Sequence, residues 1–271
     1  MNGTFEARYF SGRELYGDDF DEAGIRQWYA QEEHAYYQLV GTYDKYAYDY
    51  HALNDFHAYR FLDGQYECCV AMGCATGDDV APLGRRVDHF VAIEPAEKWW
   101  KSEIGGRPAR YLKPSLYGDI PMAEASADLL VCLGVLHHVP NVSHVFSEMA
   151  RVLRPGGKMV VREPISTMGD WRSPRRGVTQ NERGFPPGWL EQKARTLDLR
   201  IKRASYCLFP LMWRLGKILR LSPAYNSPAM VRLDTAMSRL TQWNLHYHRD
   251  SIFKKIAPGA VVFVFEKTAT E

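Results

Sequence analysis

Residues 66–77 read YECCVAMGCATG, and the stretch Val70-Ala-Met-Gly-Cys-Ala-Thr-Gly77 within them decides the fold. An apolar segment that runs directly into a glycine-containing turn predicts a buried strand followed by a close backbone approach to a ligand. A second apolar segment, HFVAIE, ends in Glu94, seventeen residues after Gly77. A glycine turn followed by an acid that accepts hydrogen bonds from ribose hydroxyls is how α/β folds hold an adenosine-containing cofactor.

The spacing of the turn excludes a dinucleotide. The pattern G-x-G-x-x-G would place its third glycine at position 78, where this chain has Asp78. The observed pattern is Gly73-x-Ala75-x-Gly77, which is G-x-G-x-G with alanine in the middle place.

Composition sets limits on the class of protein. The chain has 271 residues, of which 46% are hydrophobic, enough for one sizeable core and a small appended subdomain. A net charge of +2 argues against a nucleic-acid partner. The five cysteines lack zinc-ligand spacing, the start lacks signal-peptide features, and the longest apolar run is shorter than a membrane span of about 20 residues. We therefore expect a cytoplasmic protein with no membrane span.

The order of predicted elements indicates an α/β domain. Residues 1–60 hold ten of the sixteen tyrosines and predict a helical cap, with helices at 21–40 and 47–60. Residues 61–271 predict one domain with an acceptor-side loop at 164–188 and an insertion at about 209–250. We expect a Rossmann-like, seven-stranded, mostly parallel sheet with helices on both faces. The predicted strands are 66–72, 88–94, 109–113, 127–133, 158–163, 200–207 and 260–265. The predicted helices are 141–153 and 187–198. Asn141 would cap the first of these helices, and Arg154-Pro-Gly-Gly would end it.

Four segments together resemble one family. They are VAMGCATG, FVAIEP, GDIPMAEASADLLVCLGVLHHVPN and EMARVLRPGGKMVVREP. Their order and spacing are similar to those of the class I S-adenosylmethionine-dependent methyltransferases, nearest the branch of ubiquinone and menaquinone biosynthesis. The resemblance covers about residues 65–165.

The resemblance implies S-adenosylmethionine as cofactor and a set of binding residues. Gly73, Ala75 and Gly77 would form the turn beside the methionine moiety, and Glu94 would bind the ribose. The remaining implied contacts are Asp119 and the Ile120 backbone to adenine, with Leu133 and Gly134 near the sulfonium.

Two residues depart from the family pattern. An acid usually precedes the first glycine by two residues, and here that place is Ala71. The middle glycine is Ala75, whose methyl group is tolerable if its φ angle is negative. Asp78 or Asp79 offers a carboxylate in place of the missing acid.

A second resemblance points to the acceptor. EPISTMGDWRSPRRG and NERGFPP are similar to segments of methyltransferases of bacterial surface-polysaccharide assembly, which implies a sugar acceptor. Trp171 would stack on a sugar ring, and the loop arginines would bind anionic groups, unless the loop is simply solvated. These arginines are Arg172, Arg175, Arg176 and Arg183.

Methyl transfer to a hydroxyl requires a base. His137 and His138 follow a strand at the carboxyl edge, where ligands of such sheets bind, and histidine titrates near neutrality. The alternative is that one caps a helix and the other packs on the sheet. Glu163 on the same edge would accept a proton or orient an acceptor hydroxyl; the alternative is a salt bridge with Arg162 or a loop arginine. Tyr16, Tyr46 and Tyr50 are candidates for lining the acceptor pocket.

The helical spacing of His51, Asn54 and His57 makes a metal site conceivable, but no further ligand completes it, and we expect no metal.

The favoured function is O-methylation of a small polar acceptor, such as a sugar or a glycan end. The alternatives are methylation of a quinone-like or amine small molecule, and a non-catalytic cofactor-binding protein. No sequence feature indicates an oligomeric state.

Overall fold

The computed structural model describes residues 6–40, 48–175, 177–221 and 223–268, with the backbone alone at residue 6 and residues 33–40. Tyr46 and Arg176 therefore lie outside the described residues.

Within the described residues, eight strands form one sheet in the order β3-β4-β2-β1-β5-β6-β8-β7. The strands β4, β2, β1, β5 and β6 are parallel, and β8 lies antiparallel between β6 and β7. The predicted Rossmann-like sheet is confirmed, and the additional strand is the two-residue β3, which pairs antiparallel with β4. The strands are β1 Tyr66–Met72, β2 Val87–Ile93, β3 Glu103–Ile104, β4 Arg107–Leu112, β5 Ala127–Leu133, β6 Leu153–Pro164, β7 Leu199–Cys207 and β8 Ala260–Lys267.

Helices cover both faces of this sheet. Successive strand residues point to opposite faces, so Val70 packs under one helical layer and Cys69 under the other. The first layer contains α3 and α4, and the second contains α2 and α6. The helices are α1 Glu22–Val40, α2 His51–His57, α3 Val142–Val152, α4 Trp189–Arg195, α5 Met212–Ile218 and α6 Pro228–Thr241. Among the described residues, no helix is long and apolar enough to cross a bilayer.

The start of α3 differs from the sequence prediction. Asn141 precedes the helix as expected, but its side chain makes no capping hydrogen bond and donates instead to the carbonyl of Tyr117 at 2.6 Å. Asp18 takes the capping role, because its carboxylate accepts from the Ser143 backbone N–H at 2.7 Å and the Ser143 hydroxyl at 2.6 Å. Arg154-Pro-Gly-Gly lies within β6 instead of forming a separate turn.

The N-terminal segment packs against the carboxyl edge of the sheet. The indole of Trp28 in α1 donates to the carbonyl of His138 at 2.7 Å. The fully buried guanidinium of Arg183 donates to the carbonyls of Tyr16, at 3.0 Å, and Val139, at 2.8 Å. These contacts join α1, the turn after β5 and the loop after β6 over the edge where parallel sheets bind ligands.

Candidate active site

The glycine turn and Glu94 come together at the carboxyl ends of β1 and β2. The turn begins with a hydrogen bond from Gly73 N–H to the Ile93 carbonyl, at 2.8 Å. The Glu94 carboxylate accepts from the backbone N–H groups of Ala75, at 3.1 Å, and Ala96, at 2.9 Å. Burial raises the pKa of Glu94, which is 7% exposed. Each of its oxygens keeps a lone pair, so the carboxylate is oriented and still able to accept from a diol.

The backbone of this turn requires positive φ angles at three positions. Gly73 has φ +55° and Gly77 has φ +83°, and a Cβ atom on either would lie 2.6 Å from a neighbouring side chain. Ala75 has φ +47°, so the condition of a negative φ for its methyl group is not met. The left-handed conformation costs an alanine roughly 1–2 kcal/mol. Hydrogen bonds from the Tyr111 hydroxyl to the Ala75 carbonyl, at 2.9 Å, and from Ala75 N–H to Glu94 hold it there.

The residues expected to contact adenine form hydrogen bonds with side chains of α3. The Asp119 carboxylate accepts from the Ser115 hydroxyl at 2.6 Å and contacts His144 Nε2 at 2.7 Å. These hydrogen bonds lower the pKa of Asp119. The Ile120 N–H donates to Glu148 at 2.9 Å. The adenine contact of Asp119 and Ile120 thus stays a prediction.

Gly134 separates two functional side chains at the end of β5. It follows the buried Leu133, and its N–H donates to the Arg162 carbonyl at 2.7 Å. A Cβ atom placed on Gly134 would lie 3.6 Å from Cε1 of His137 and 3.7 Å from Nη2 of Arg162. The imidazole and the guanidinium therefore border the position where the family resemblance places the sulfonium.

His137 is held by Glu163. The fully buried Glu163 carboxylate accepts from the backbone N–H groups of Val135, at 3.0 Å, and Leu136, at 2.8 Å. Its other oxygen lies 2.8 Å from His137 Nδ1. Burial, together with the charge of His138, lowers the pKa of His137 against the opposing effect of Glu163. The expected salt bridge between Glu163 and Arg162 does not form, because adjacent strand residues point to opposite faces.

The pKa of His138 shifts in the opposite direction to that of His137. Its Nδ1 lies 2.9 Å from Glu32 of α1 and 3.9 Å from Glu182. Burial lowers the pKa of His138, but the hydrogen bond to Glu32 and the charges of Glu182, Glu32 and Glu163 outweigh it, and the net shift is upward. The two imidazole rings are 4.1 Å apart between centroids. Neighbouring groups with pKa values shifted apart are typical of acid–base sites.

The described residues include one group with metal-ligand spacing. His137, His138 and Glu182 bring ligand atoms within 4.8 Å of one another. Both Nδ1 atoms already contact carboxylates. In the other conceivable set, His57 and Asn54 are held by hydrogen bonds to Ser205 and Arg162. The expectation of no metal stays a prediction.

The charged and aromatic side chains of the loop after β6 contact other residues of the protein. Trp171 is 4% exposed and stacks on Phe10 and Tyr16, at centroid distances of 4.7 and 5.0 Å, so its ring is almost completely covered. Arg172 pairs with Asp170, while Arg175 and Arg183 donate to backbone carbonyls. The structure therefore gives these side chains other partners than a sugar ring or an anionic acceptor. Tyr50, which was expected to line the acceptor pocket, stacks on Tyr225 with 5.6 Å between the ring centroids.

Sequence reasoning missed two residues of this site. Glu32 contacts His138, and Arg162 borders Gly134. The only sequence signal for Arg162 is a charge inside the apolar segment KMVVREP. Glu32 gives no signal, because it meets His138 across 106 residues of chain.

The sheet order, the glycine turn and the acid after β2 define the Rossmann-like fold of class I methyltransferases. Residues 70–161 match a family model described as a methyltransferase domain. S-adenosylmethionine is the cofactor that this domain implies.

Among curated proteins, the chain is similar to the 27-O-demethylrifamycin SV methyltransferase of Amycolatopsis mediterranei (strain S699). The two are 30% identical over 105 residues, which cover 38% of this chain and 37% of that protein. The chain thus matches only about a third of that relative's length.

Solved structures show the same fold. An S-adenosylmethionine-dependent methyltransferase from Mesorhizobium loti superposes with a TM-score of 0.51 and 15% identity, covering 76% of this chain and 94% of that one. The [4+2]-cyclase SpnF superposes with a TM-score of 0.52 and 15% identity, covering 80% of each chain. The fold is therefore shared by proteins that carry out different reactions.

Proposed function

We propose that this chain is an S-adenosylmethionine-dependent methyltransferase that methylates oxygen of a small polar acceptor, with His137 as the general base. The observation that carries this proposal is the Glu163–His137 pair beside Gly134, on the edge that also holds Glu94. A carboxylate only accepts, so His137 donates its Nδ1 proton to Glu163 and its Nε2 atom keeps a lone pair. The lowered pKa keeps this imidazole neutral near pH 7, as a base requires.

The donor set of the site fits the cofactor. Glu94 offers a buried and oriented carboxylate to the ribose diol, and Gly134 leaves room between His137 and Arg162. When bound, S-adenosylmethionine supplies a methyl group on an already activated leaving group. The protein must then align the acceptor, exclude water and remove one proton. Nε2 of His137 would take the hydroxyl proton as the acceptor oxygen attacks the methyl group, and S-adenosylhomocysteine would be the leaving group.

A sugar-like acceptor is supported by the pocket between α1 and the loop after β6. This pocket has a volume of about 230 Å³ and combines aromatic rings with amide side chains, a lining suited to polyols. Glu32 connects this pocket to His138, the neighbour of the base, because it accepts from the Asn181 N–H at 3.1 Å and contacts His138. The lining residues are Tyr16, Phe20, Gly24, Gln27, Trp28, Gln31, Gln180 and Asn181. The name of the rifamycin relative also supports an oxygen acceptor.

Two measurements test the proposed function. Titration calorimetry with S-adenosylmethionine and S-adenosylhomocysteine asks whether the chain binds the cofactor. Incubation of sugar, quinol and amine acceptors with methyl-labelled cofactor, followed by product analysis, identifies the methylated atom. Cofactor binding with label on a hydroxyl oxygen is expected. Label on carbon or nitrogen would support the quinone-like or amine alternative and overturn O-methylation.

A non-catalytic or different cofactor-dependent function is the second candidate. Position 71 holds alanine where the family usually has an acid, and Ala75 adopts a strained conformation. The SpnF cyclase shares the fold. Cofactor binding with no labelled product from any acceptor class would favour this candidate. Binding of neither cofactor form would remove both functions.

A further inference from the structure

Arg162 is a buried cation at the carboxyl end of β6. It is 7% exposed and lies on the sheet face of Cys69 and Ala71, opposite to Glu163. Its Nη1 donates to Asn54 Oδ1 of α2 at 2.7 Å, and its guanidinium lies 4.4 Å from the centre of the Tyr50 ring.

None of these partners is an anion. No ion pair between described residues includes Arg162. A guanidinium removed from water is stabilised fully only by an opposite charge, and neutral hydrogen bonds and an aromatic face compensate it in part. No described carboxylate lies within ion-pair distance of this guanidinium, so it can accept a negative group from outside the chain.

The position of Arg162 selects which negative group this is. In the sheet order β2-β1-β5-β6, Glu94 follows β2, and Nη2 of Arg162 reaches back to Gly134 at the end of β5. Two strand spacings, roughly 10 Å, separate these ends. The glycine turn lies between them. A ligand whose ribose lay at Glu94 and whose chain crossed the turn would bring its far end to Arg162.

Asp79 is a second ionisable residue near the carboxyl end of β1. It is 8% exposed and follows the glycine turn, and its carboxylate accepts from the Val80 N–H at 2.9 Å. Burial raises the pKa of Asp79 to about 7, and the charge of Arg162 acts in the opposite direction. Asp79 thus supplies an acid near the turn, where Ala71 supplies none.

We infer that Arg162, positioned by Asn54 and Tyr50, binds the carboxylate of the methionine moiety of the cofactor. This inference rests on the proposed function and adds a charged contact in the part of the site where the family acid is replaced by Ala71. Arg162 thereby makes the chain selective for cofactor forms that keep the amino-acid carboxylate.

The test compares two ligands on two proteins by titration calorimetry. The ligands are S-adenosylmethionine and decarboxylated S-adenosylmethionine, which keeps the sulfonium and the amine and lacks only the carboxylate. The wild-type chain is expected to bind the decarboxylated form roughly thirtyfold more weakly, as for loss of a charge-assisted hydrogen bond. In Arg162→Met, S-adenosylmethionine should weaken by a similar factor, and the difference between the two ligands should disappear.

The matched control is Arg203→Met. Arg203 lies on β7, donates to the His57 carbonyl and stacks on Phe61, away from the glycine turn. This variant should keep the wild-type preference for S-adenosylmethionine.

Other outcomes overturn the inference. Equal affinity of the wild-type chain for the two ligands overturns it, even if Arg162→Met fails to fold. A ligand preference that survives in Arg162→Met assigns Arg162 to fold stability or to an anionic acceptor, and also overturns it. If the wild-type chain binds neither ligand, the proposed function itself fails.

Discussion

His137 Nδ1 lies 2.8 Å from Glu163 Oε2, and the other oxygen of the same carboxylate accepts two N–H groups from the turn that carries the histidine. The carboxylate therefore fixes both the turn and the tautomer of the ring. An imidazole fixed in this way presents a lone pair at Nε2, with its Cε1 edge close to Gly134.

Replacing the base separates turnover from cofactor binding. His137→Ala is expected to lower kcat by about 10²- to 10⁴-fold, the usual contribution of general base catalysis. S-adenosylhomocysteine affinity should stay within about twofold in calorimetry, since a base contributes to transfer and not to ground-state binding. His89→Ala is the control, because His89 lies near the start of β2, away from the carboxyl edge. Wild-type turnover in both His137→Ala and His138→Ala would rule out a histidine base.

The pH profile tests whether Glu163 acts through His137. Turnover requires the neutral imidazole, so kcat should fall as pH drops through the lowered pKa of His137. Glu163 opposes that lowering, so its removal should lower this pKa further. In Glu163→Gln, the acid limb of the kcat profile is expected to move to lower pH while the plateau falls. A lower plateau with an unmoved limb would mean that Glu163 supports only the backbone of the turn.

The parts of the molecule that local patterns encode were predictable. Continuous apolar runs mark β1, β5 and β8, and the turn at Gly73 adjoins Glu94 as the spacing of their strands implies. The pairing of Glu163 with His137 was not predictable, because it depends on the register of β5 against β6. The sequence suggested anion binding for Arg183, but its partners are backbone carbonyls, which no sequence pattern displays.

The positive φ of Ala75 predicts a stabilising substitution. Ala75→Gly removes the steric penalty of the left-handed conformation and adds some entropy to the unfolded chain, for a net gain of about 0.5–1 kcal/mol. Urea denaturation measures this gain. Ala125→Gly, at φ +53° and far along the chain from the glycine turn, should show a similar gain, whereas Ala123→Gly, which lacks a positive φ, should destabilise. A loss of stability in Ala75→Gly would show that the alanine methyl group contributes packing that outweighs its strain.

His57 makes the stability of the fold dependent on pH. It is fully buried between Ser205, at 2.8 Å, and Thr235, at 3.3 Å, and burial, with the charges of nearby arginines, lowers the pKa of His57 from 6.5 to about 4. The unfolded chain takes up the proton first. The stability that the neutral ring contributes is therefore complete above pH 6.5 and lost as pH falls through about 4.

At about 1.4 kcal/mol per pH unit, this contribution amounts to about 3 kcal/mol. His57→Gln keeps a hydrogen-bonding side chain without a titrating group, so it isolates the effect from other acids such as Asp79. The wild-type advantage over His57→Gln, measured by urea denaturation, should shrink by that amount between pH 7 and pH 4. A constant difference across this range would mean that the folded chain accommodates the charged imidazole. In that case the strand β7 and the helix α6, which carry Ser205 and Thr235, must move away from the ring enough to admit water.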